Sequence, residues 1–272
     1  MIGVVHLVWA PLGVEPVRAF LGSYREREAG AEHELVIVLN GIGAPDGGGQ
    51  AFRSQLLGAL DGTPHRLLEL EQPVLDLAAY GRAAVRIDHD RLCFLNSYSV
   101  ILADGWLSML DAALAAPGVG IAGATGSWES QSEWLRGSVR WWPYQLARLP
   151  LDRRRYPRFP NPHLRTTGFI ARRETIAAMD LERVRDKRDA YTLESGSEGI
   201  AAKCRARGLE AVVIGRDGCS YPIAAWPESR TYRSGGQDNL LIADNRTGDW
   251  ERASAALKRR LARDAWGSKA IL

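Results

Sequence analysis

Short, almost wholly apolar runs that alternate with segments of helical spacing limit what the first half of this chain can fold into. Residues 2–9 (IGVVHLVW), 34–40 (ELVIVLN), 65–70, 91–95 (RLCFL) and 120–124 are the strand candidates. Between them, residues 14–28 carry Val17, Phe20, Leu21 and Tyr24 at helical intervals, and 50–60, 74–87 and 105–115 read as further helices. Strands this apolar have both faces covered, and strand–helix alternation makes their sheet mostly parallel, with helices on both sides. Ligands of such sheets bind beyond the carboxyl ends of the strands. The loops that matter are therefore 10–13, 40–49, 70–76 and 96–104.

The second half departs from this rhythm. Trp128, Trp134, Trp141, Trp142 and Tyr144 precede a basic stretch at 153–158. A strand-like pattern spans 163–171, a helix 194–207, a strand 209–214 and an amphipathic helix 250–265, with an extended loop over 226–246. No repeat or low-complexity segment divides the chain. One domain over residues 1–272 is predicted, with a ligand-binding half (1–125) and an acceptor-side half (126–272) that ends in the terminal helix.

Charge and cysteines exclude several classes. A net charge of +3, mixed along the chain, gives no nucleic-acid footprint. Cys93, Cys204 and Cys219 are distant, odd in number and without ligand spacing, which predicts no structural zinc and a reducing compartment, the cytoplasm. The first nine residues lack a basic leader and stop at Pro11 and Gly13, and no run approaches the roughly 20 apolar residues of a membrane span. The expectation is a soluble protein, at most peripheral to the inner face of the membrane. Walker A, GxGxxG, GxSxG and HExxH patterns are all missing, which argues against P-loop, dinucleotide and common hydrolase chemistry.

The order of elements resembles the Rossmann-like GT-A fold of family 2 glycosyltransferases. Segments 4–13, 35–43, 76–84 and 92–99 are similar to that family's nucleobase loop, second strand, donor-side helix and strand before the Asp-x-Asp motif. Asp104-Gly105-Trp106-Leu107, residues 119–123, Thr167-Gly168-Phe169-Ile170-Ala171-Arg172-Arg173 and the segment 194–208 resemble the elements that follow. The likeness runs from Ile2 to Gly218. It implies a nucleotide-diphosphate sugar donor, a glycan or lipid-linked acceptor and inversion at the anomeric carbon. It also implies that Pro11, Leu12, Gly13, Asn40, Asp76, Asn96, Ser97, Tyr98, Ser99, His163 and Arg165 lie against the donor. Asp76 also reads as an ordinary helix-start carboxylate, and residues 96–99 as a polar turn.

Two departures and choices remain open in the sequence. Where the family holds Mg²⁺ or Mn²⁺ between two carboxylates, this chain has Asn96-Ser97-Tyr98-Ser99. Either Arg and Lys replace the ion, or Asp104 or Asp76 holds it, or the site is inactive. For the catalytic base, Glu194 and Glu198 sit one turn apart on a helix that starts at Glu194, with Glu194 preferred and Asp189 third. A polar loop around residues 238–247 is a candidate lid, ending at a helix capped by Thr247 or Asp249. The rival functions are an inactive sugar- or nucleotide-binding protein and a sugar nucleotidyltransferase. The latter expects a basic Gly-rich first loop that Ala10-Pro11-Leu12-Gly13 does not supply.

Overall fold

The computed structural model describes residues 1–130 and 154–272. Trp134, Trp141, Trp142, Tyr144 and Arg153 lie outside the described residues. Along the chain come β1 (Ile2–Trp9), α1 (Glu15–Glu26), β2 (His33–Asn40), α2 (Gly49–Leu60), β3 (Arg66–Glu69), α3 (Asp76–Arg86), β4 (Arg91–Leu95), β5 (Val100–Ile101), α4 (Trp106–Ala115), β6 (Val119–Gly123) and β7 (Gly126–Ser127). Then follow β8 (His163–Leu164), β9 (Gly168–Arg172), α5 (Arg173–Ala177), α6 (Lys187–Ser195), α7 (Ile200–Ala206), β10 (Glu210–Ile214), β11 (Ser220–Pro222), β12 (Ile242–Ala243), α8 (Asn245–Arg252) and α9 (Ala255–Trp266). None of the described helices is long and apolar enough to cross a membrane.

The main sheet runs β11-β10-β6-β9-β4-β1-β2-β3. Strands β3, β2, β1, β4, β6 and β10 share one direction, whereas β9 and β11 are reversed. The mostly parallel α/β sheet flanked by helices, expected from the alternation, is the fold. Each face has its own core, and period-2 alternation sorts the side chains between them. Val36, Val38, Leu92 and Phe94 face a cluster with Tyr80, Phe169, Trp128 and Trp266, while Leu35, Ile37, Cys93 and Leu95 face one with Phe20, Leu56 and Trp106.

Five sequence expectations change. The single strand over 163–171 is two strands, β8 and β9, separated by Arg165–Thr167. The helix over 194–207 is broken, because Gly196 lies against the preceding turn, where a Cβ would sit 2.3 Å from the Thr192 carbonyl oxygen. The terminal helix is two helices, α8 and α9, with Ser254 capping the second. Finally, residues 226–246 do not form an open loop. Trp226 is buried, Arg230 pairs with Asp238 at 2.8 Å, and β12 pairs with β5. Asp244, rather than Thr247 or Asp249, caps α8, with Thr247 as its reciprocal partner in a capping box.

Candidate active site

The carboxyl ends of the six co-directed strands lie at one edge of the sheet. Because β9 runs the other way and pairs Gly168 with Leu95, its entry rather than its exit reaches that edge. Arg165, Thr166 and Thr167 are thereby delivered beside Asn96. A cavity of about 630 Å³ opens here, with Trp9, Leu12, Asn40, residues 74–77 and residues 96–98 on one wall. The opposite wall holds Glu129, His163, residues 165–167, one face of α6, Tyr232, Arg233 and residues 244–246.

Polar groups on the first wall are largely engaged by backbone amides and carbonyls of the wall itself. Asn40 is 1% exposed and holds Val74 from both ends of its amide, donating to the carbonyl at 2.7 Å and accepting from the N–H at 3.1 Å. The clamp fixes the loop that leads into α3. Asp76 opens α3 as expected and accepts the Leu77 amide at 2.9 Å. Burial raises its carboxyl above the ordinary range, against that hydrogen bond, and Glu194 across the cavity adds to the rise. Asn96 closes a polar turn, its Oδ1 accepting the Tyr98 amide at 2.9 Å and the Ser99 hydroxyl at 3.3 Å. Its side-chain NH₂ has no partner among the described residues. Gly41, with φ of 78°, makes room for the Trp9 indole, which a Cβ would meet at 2.4 Å.

The second wall carries the less engaged charge. Lys187, Tyr191 and Glu194 share one face of α6 and line the cavity. Glu194 is in the last turn of that helix and not at a helix start, so the macrodipole there also favours its uncharged form. Burial raises its carboxyl above the usual 4.5; Arg165 and the Thr166 amide pull it back, and Asp244 and Glu129 push it up. The Arg165 guanidinium lies 4.5 Å over the Tyr232 ring. Its Nε is enclosed without a hydrogen bond, and the side chain makes no ion pair among the described residues. Burial works against its charge, but Tyr232, Glu194, Asp244 and Glu129 outweigh that and hold it protonated. A half-buried guanidinium with an unfilled Nε–H is a receptor for an oxyanion. A carboxyl biased toward the neutral form is suited to taking up a proton.

Several expected residues stand elsewhere. Pro11, Gly13 and Ser99 do not line the cavity; Ser99 is buried and donates to the Thr167 carbonyl at 2.7 Å. Glu198 is exposed in the break between α6 and α7, off the cavity and off the helix face it was expected to share with Glu194. Asp189 accepts the Arg185 amide at 3.1 Å and does not line the cavity either. His163 does line it, but burial lowers it to about 4, so it is neutral and not a cation for phosphate. Asp104 lies outside, accepting the Glu28 amide at 3.0 Å and facing Arg27 at 3.6 Å.

These placements bear on the divalent ion that the family resemblance implies. The strand-end donor set does not fit one. Asn96 Oδ1 is engaged by the turn, the Ser99 hydroxyl by Thr167, and Asp104 is on the far side of the loop. Among the described residues no group of three His, Cys, Asp or Glu is arranged to hold a metal.

Sequence reading missed Glu129, Tyr232 and Arg233, while Asp244, Asn245 and Arg246 of the candidate lid do line the cavity. Arg233 stacks 4.9 Å from the Tyr232 ring and pairs with Glu129 at 2.6 Å. Its backbone has φ of 44°, and its amide is held by Gln237 Oε1 at 2.9 Å. Strain of that kind gathers at functional sites, but no residue pattern announces it.

No protein-family model and no curated protein matches the chain. Solved structures with a similar fold include a mannosyltransferase from Pyrobaculum calidifontis in complex with GDP-Man and Mn²⁺ (16% identity, TM-score 0.48, covering 84% of this chain and 59% of that one). Others are S. aureus TarS 1-349 (11% identity, TM-score 0.42, covering 71% and 54%) and glucosyl-3-phosphoglycerate synthase from Mycobacterium tuberculosis with uridine diphosphate (16%, 0.38, covering 64% and 57%). The chain thus spans between 54% and 59% of the length of these three structures.

Proposed function

We propose that the chain is a glycosyltransferase that moves a sugar from a nucleotide diphosphate to a glycan-type acceptor, free or lipid-linked, with inversion. A single domain performs the reaction, with residues 1–125 holding the nucleotide sugar and 126–272 supplying the acceptor side together with Glu194 and Arg165. The observation that carries this reading is the pairing of Glu194 and Arg165 in one cavity at the strand-end edge. In the displacement, the acceptor oxygen attacks the anomeric carbon and its proton passes to Glu194. The bond from that carbon to the diphosphate breaks, and the electron pair leaves on the phosphate oxygen. Arg165 receives that charge as a donor already fixed against the Tyr232 ring.

The first wall orients the donor. Trp9 and Leu12 form the apolar end, suited to a nucleobase, and the NH₂ of Asn96 donates to a ribose or phosphate oxygen. The carboxyl of Asp76, which lines the same cavity, takes a donor hydroxyl in this reading. Tyr98 and Tyr191, 37% and 43% exposed, offer ring faces on which sugars stack.

A panel of nucleoside diphosphate sugars, incubated with Mn²⁺ and separately with EDTA, tests the reading. Donor hydrolysis or transfer that survives EDTA, with an inverted anomeric product by NMR, is expected. Binding without turnover under every condition would leave an inactive sugar-nucleotide binder. Pyrophosphate release from a nucleoside triphosphate and a sugar phosphate would point to a nucleotidyltransferase instead.

A further inference from the structure

His163 lies two residues before Arg165, in the same cavity, yet presents the opposite hydrogen-bonding chemistry. Its ring Nδ1 lies 2.9 Å from the Asn161 carbonyl, and a carbonyl only accepts, so the hydrogen is on Nδ1. That carbonyl is itself fixed. The Asn161 amide donates to the Trp128 carbonyl at 2.9 Å, and its side chain donates to the Ser195 carbonyl at 2.6 Å, beside Glu194. The imidazole is 6% exposed and lines the cavity, and its Nε2 has no partner among the described residues.

Three charged groups act on the ring, from three segments around it, while α6, also packed on β8, brings Lys187 and Glu194 to the same cavity. Glu129 follows β7, Arg165 follows β8, and Arg205 belongs to α7. Burial outweighs the Asn161 hydrogen bond and the pull of Glu129, and the two arginines add to the lowering. A neutral ring with hydrogen on Nδ1 has only a lone pair to offer at Nε2. Phosphate oxygens, which accept, do not complement it. A hydroxyl does.

Building on the transferase reading, we infer that His163 Nε2 accepts a hydrogen bond from a sugar hydroxyl and thereby helps to select the sugar. Arg165 takes the anion and His163 the neutral polyol, two residues apart where β8 ends and the turn begins. The hydroxyl belongs either to the transferred sugar or to the acceptor glycan, and the same chemistry serves both.

Long-range ¹H–¹⁵N correlation spectra of protein labelled at its five histidines test this, with His163→Asn giving the assignment. The free protein should show hydrogen on Nδ1 and a bare Nε2 from about pH 8 to about pH 5. Nucleotide sugars, the matching nucleoside diphosphates, methyl glycosides and pyrophosphate are then added separately. A shift at Nε2 with nucleotide sugars but not nucleoside diphosphates assigns the donor hydroxyl; a shift with methyl glycosides assigns the acceptor hydroxyl. A protonated Nε2 at neutral pH, an equal response to pyrophosphate, or no response to any saturating hydroxyl-bearing probe overturns the inference. Nucleotide binding is measured in parallel by thermal shift. If no nucleotide binds, the transferase reading fails while methyl glycosides still report on His163. Sugar affinity should fall about fivefold in His163→Leu, as for one lost hydrogen bond, and recover partly in His163→Gln. Where His163→Leu does not fold, the wild-type spectra decide.

Discussion

On the wall built by the first half of the chain, Asp76 and Asn96 hydrogen-bond the amides of their own loops, and Asn40 holds the amide and carbonyl of Val74 in a neighbouring one. Arg165 keeps its Nε–H, and His163 a lone pair, without partners among the described residues of the wall built by the second half, and Glu194 stands beside them with its carboxyl pushed up. Substitutions on the first wall should therefore register mainly as lost stability or loosened donor binding. Those on the second should register in the chemical step.

The largest effect is expected for Glu194→Gln. An amide keeps the shape and removes the proton acceptor, so kcat for transfer should fall about a thousandfold while donor affinity and Tm hold. The wild-type pH profile gives an independent check. Only the ionised carboxyl takes a proton, and burial raises Glu194 above 4.5. Activity should therefore fall with acidification through a midpoint above that value. Because the raised carboxyl prefers its neutral form in the folded state, its contribution to stability is largest at low pH and is lost as pH rises through that midpoint. Unchanged transfer by Glu194→Gln would mean the proton goes elsewhere.

Arg165→Met comes next. Loss of one fixed charge from the leaving-group side should lower kcat about a hundredfold. Lysine should recover only part of it, since a point charge lacks the planar fork and the stacking on Tyr232. The acid limb should also move to higher pH, because Arg165 is what pulls the Glu194 carboxyl down. A variant with lower donor affinity, unaltered kcat and an unmoved limb would place Arg165 in binding alone.

The contrast between the walls also explains what the sequence disclosed. Strand β4 falls on residues 91–95 as expected, and β1 on 2–9, because continuous apolar runs and helical spacing are local signals. The carboxyl-end rule then located the cavity. Partnership is different, since it depends on distant residues. Nothing around Asn40 says that Val74 occupies both ends of its amide, and nothing around Arg233 says that Gln237 holds it at positive φ. The Glu194-Ser195-Gly196-Ser197-Glu198-Gly199 segment misled for a related reason. Its carboxylates have helical spacing, yet Gly196 ends one helix and Gly199 caps the next, leaving Glu198 outside.

Asn40→Ala tests the first wall directly. It removes both hydrogen bonds to Val74 and leaves a part-buried amide and carbonyl unsatisfied, a cost of about 2 kcal/mol, readable by chemical denaturation. Loosening of the 70–76 loop should raise KM for the donor with kcat nearly constant. A large drop in kcat at unchanged stability would give the first wall a share in the chemistry.

Asp104→Ala should do least, and for that reason it separates the walls most sharply. Its carboxylate belongs to the loop after β5 and would be the nearest replacement for a missing strand-end metal ligand if sequence position alone decided. In the fold it turns away from the cavity, 61% exposed, toward Arg27 and the Glu28 amide. An exposed ion pair and one amide hydrogen bond together are worth about 1 kcal/mol or less. The expected outcome is a Tm lower by a few degrees at most and transfer activity within about twofold of wild type, with the same response to Mn²⁺ and EDTA. A variant that keeps its Tm but loses a Mn²⁺ response present in the wild type would mean that Asp104 reaches the donor phosphates in the working enzyme. The first wall would then rearrange on binding, and the division between a scaffold wall and a reactive wall would hold only for the empty cavity.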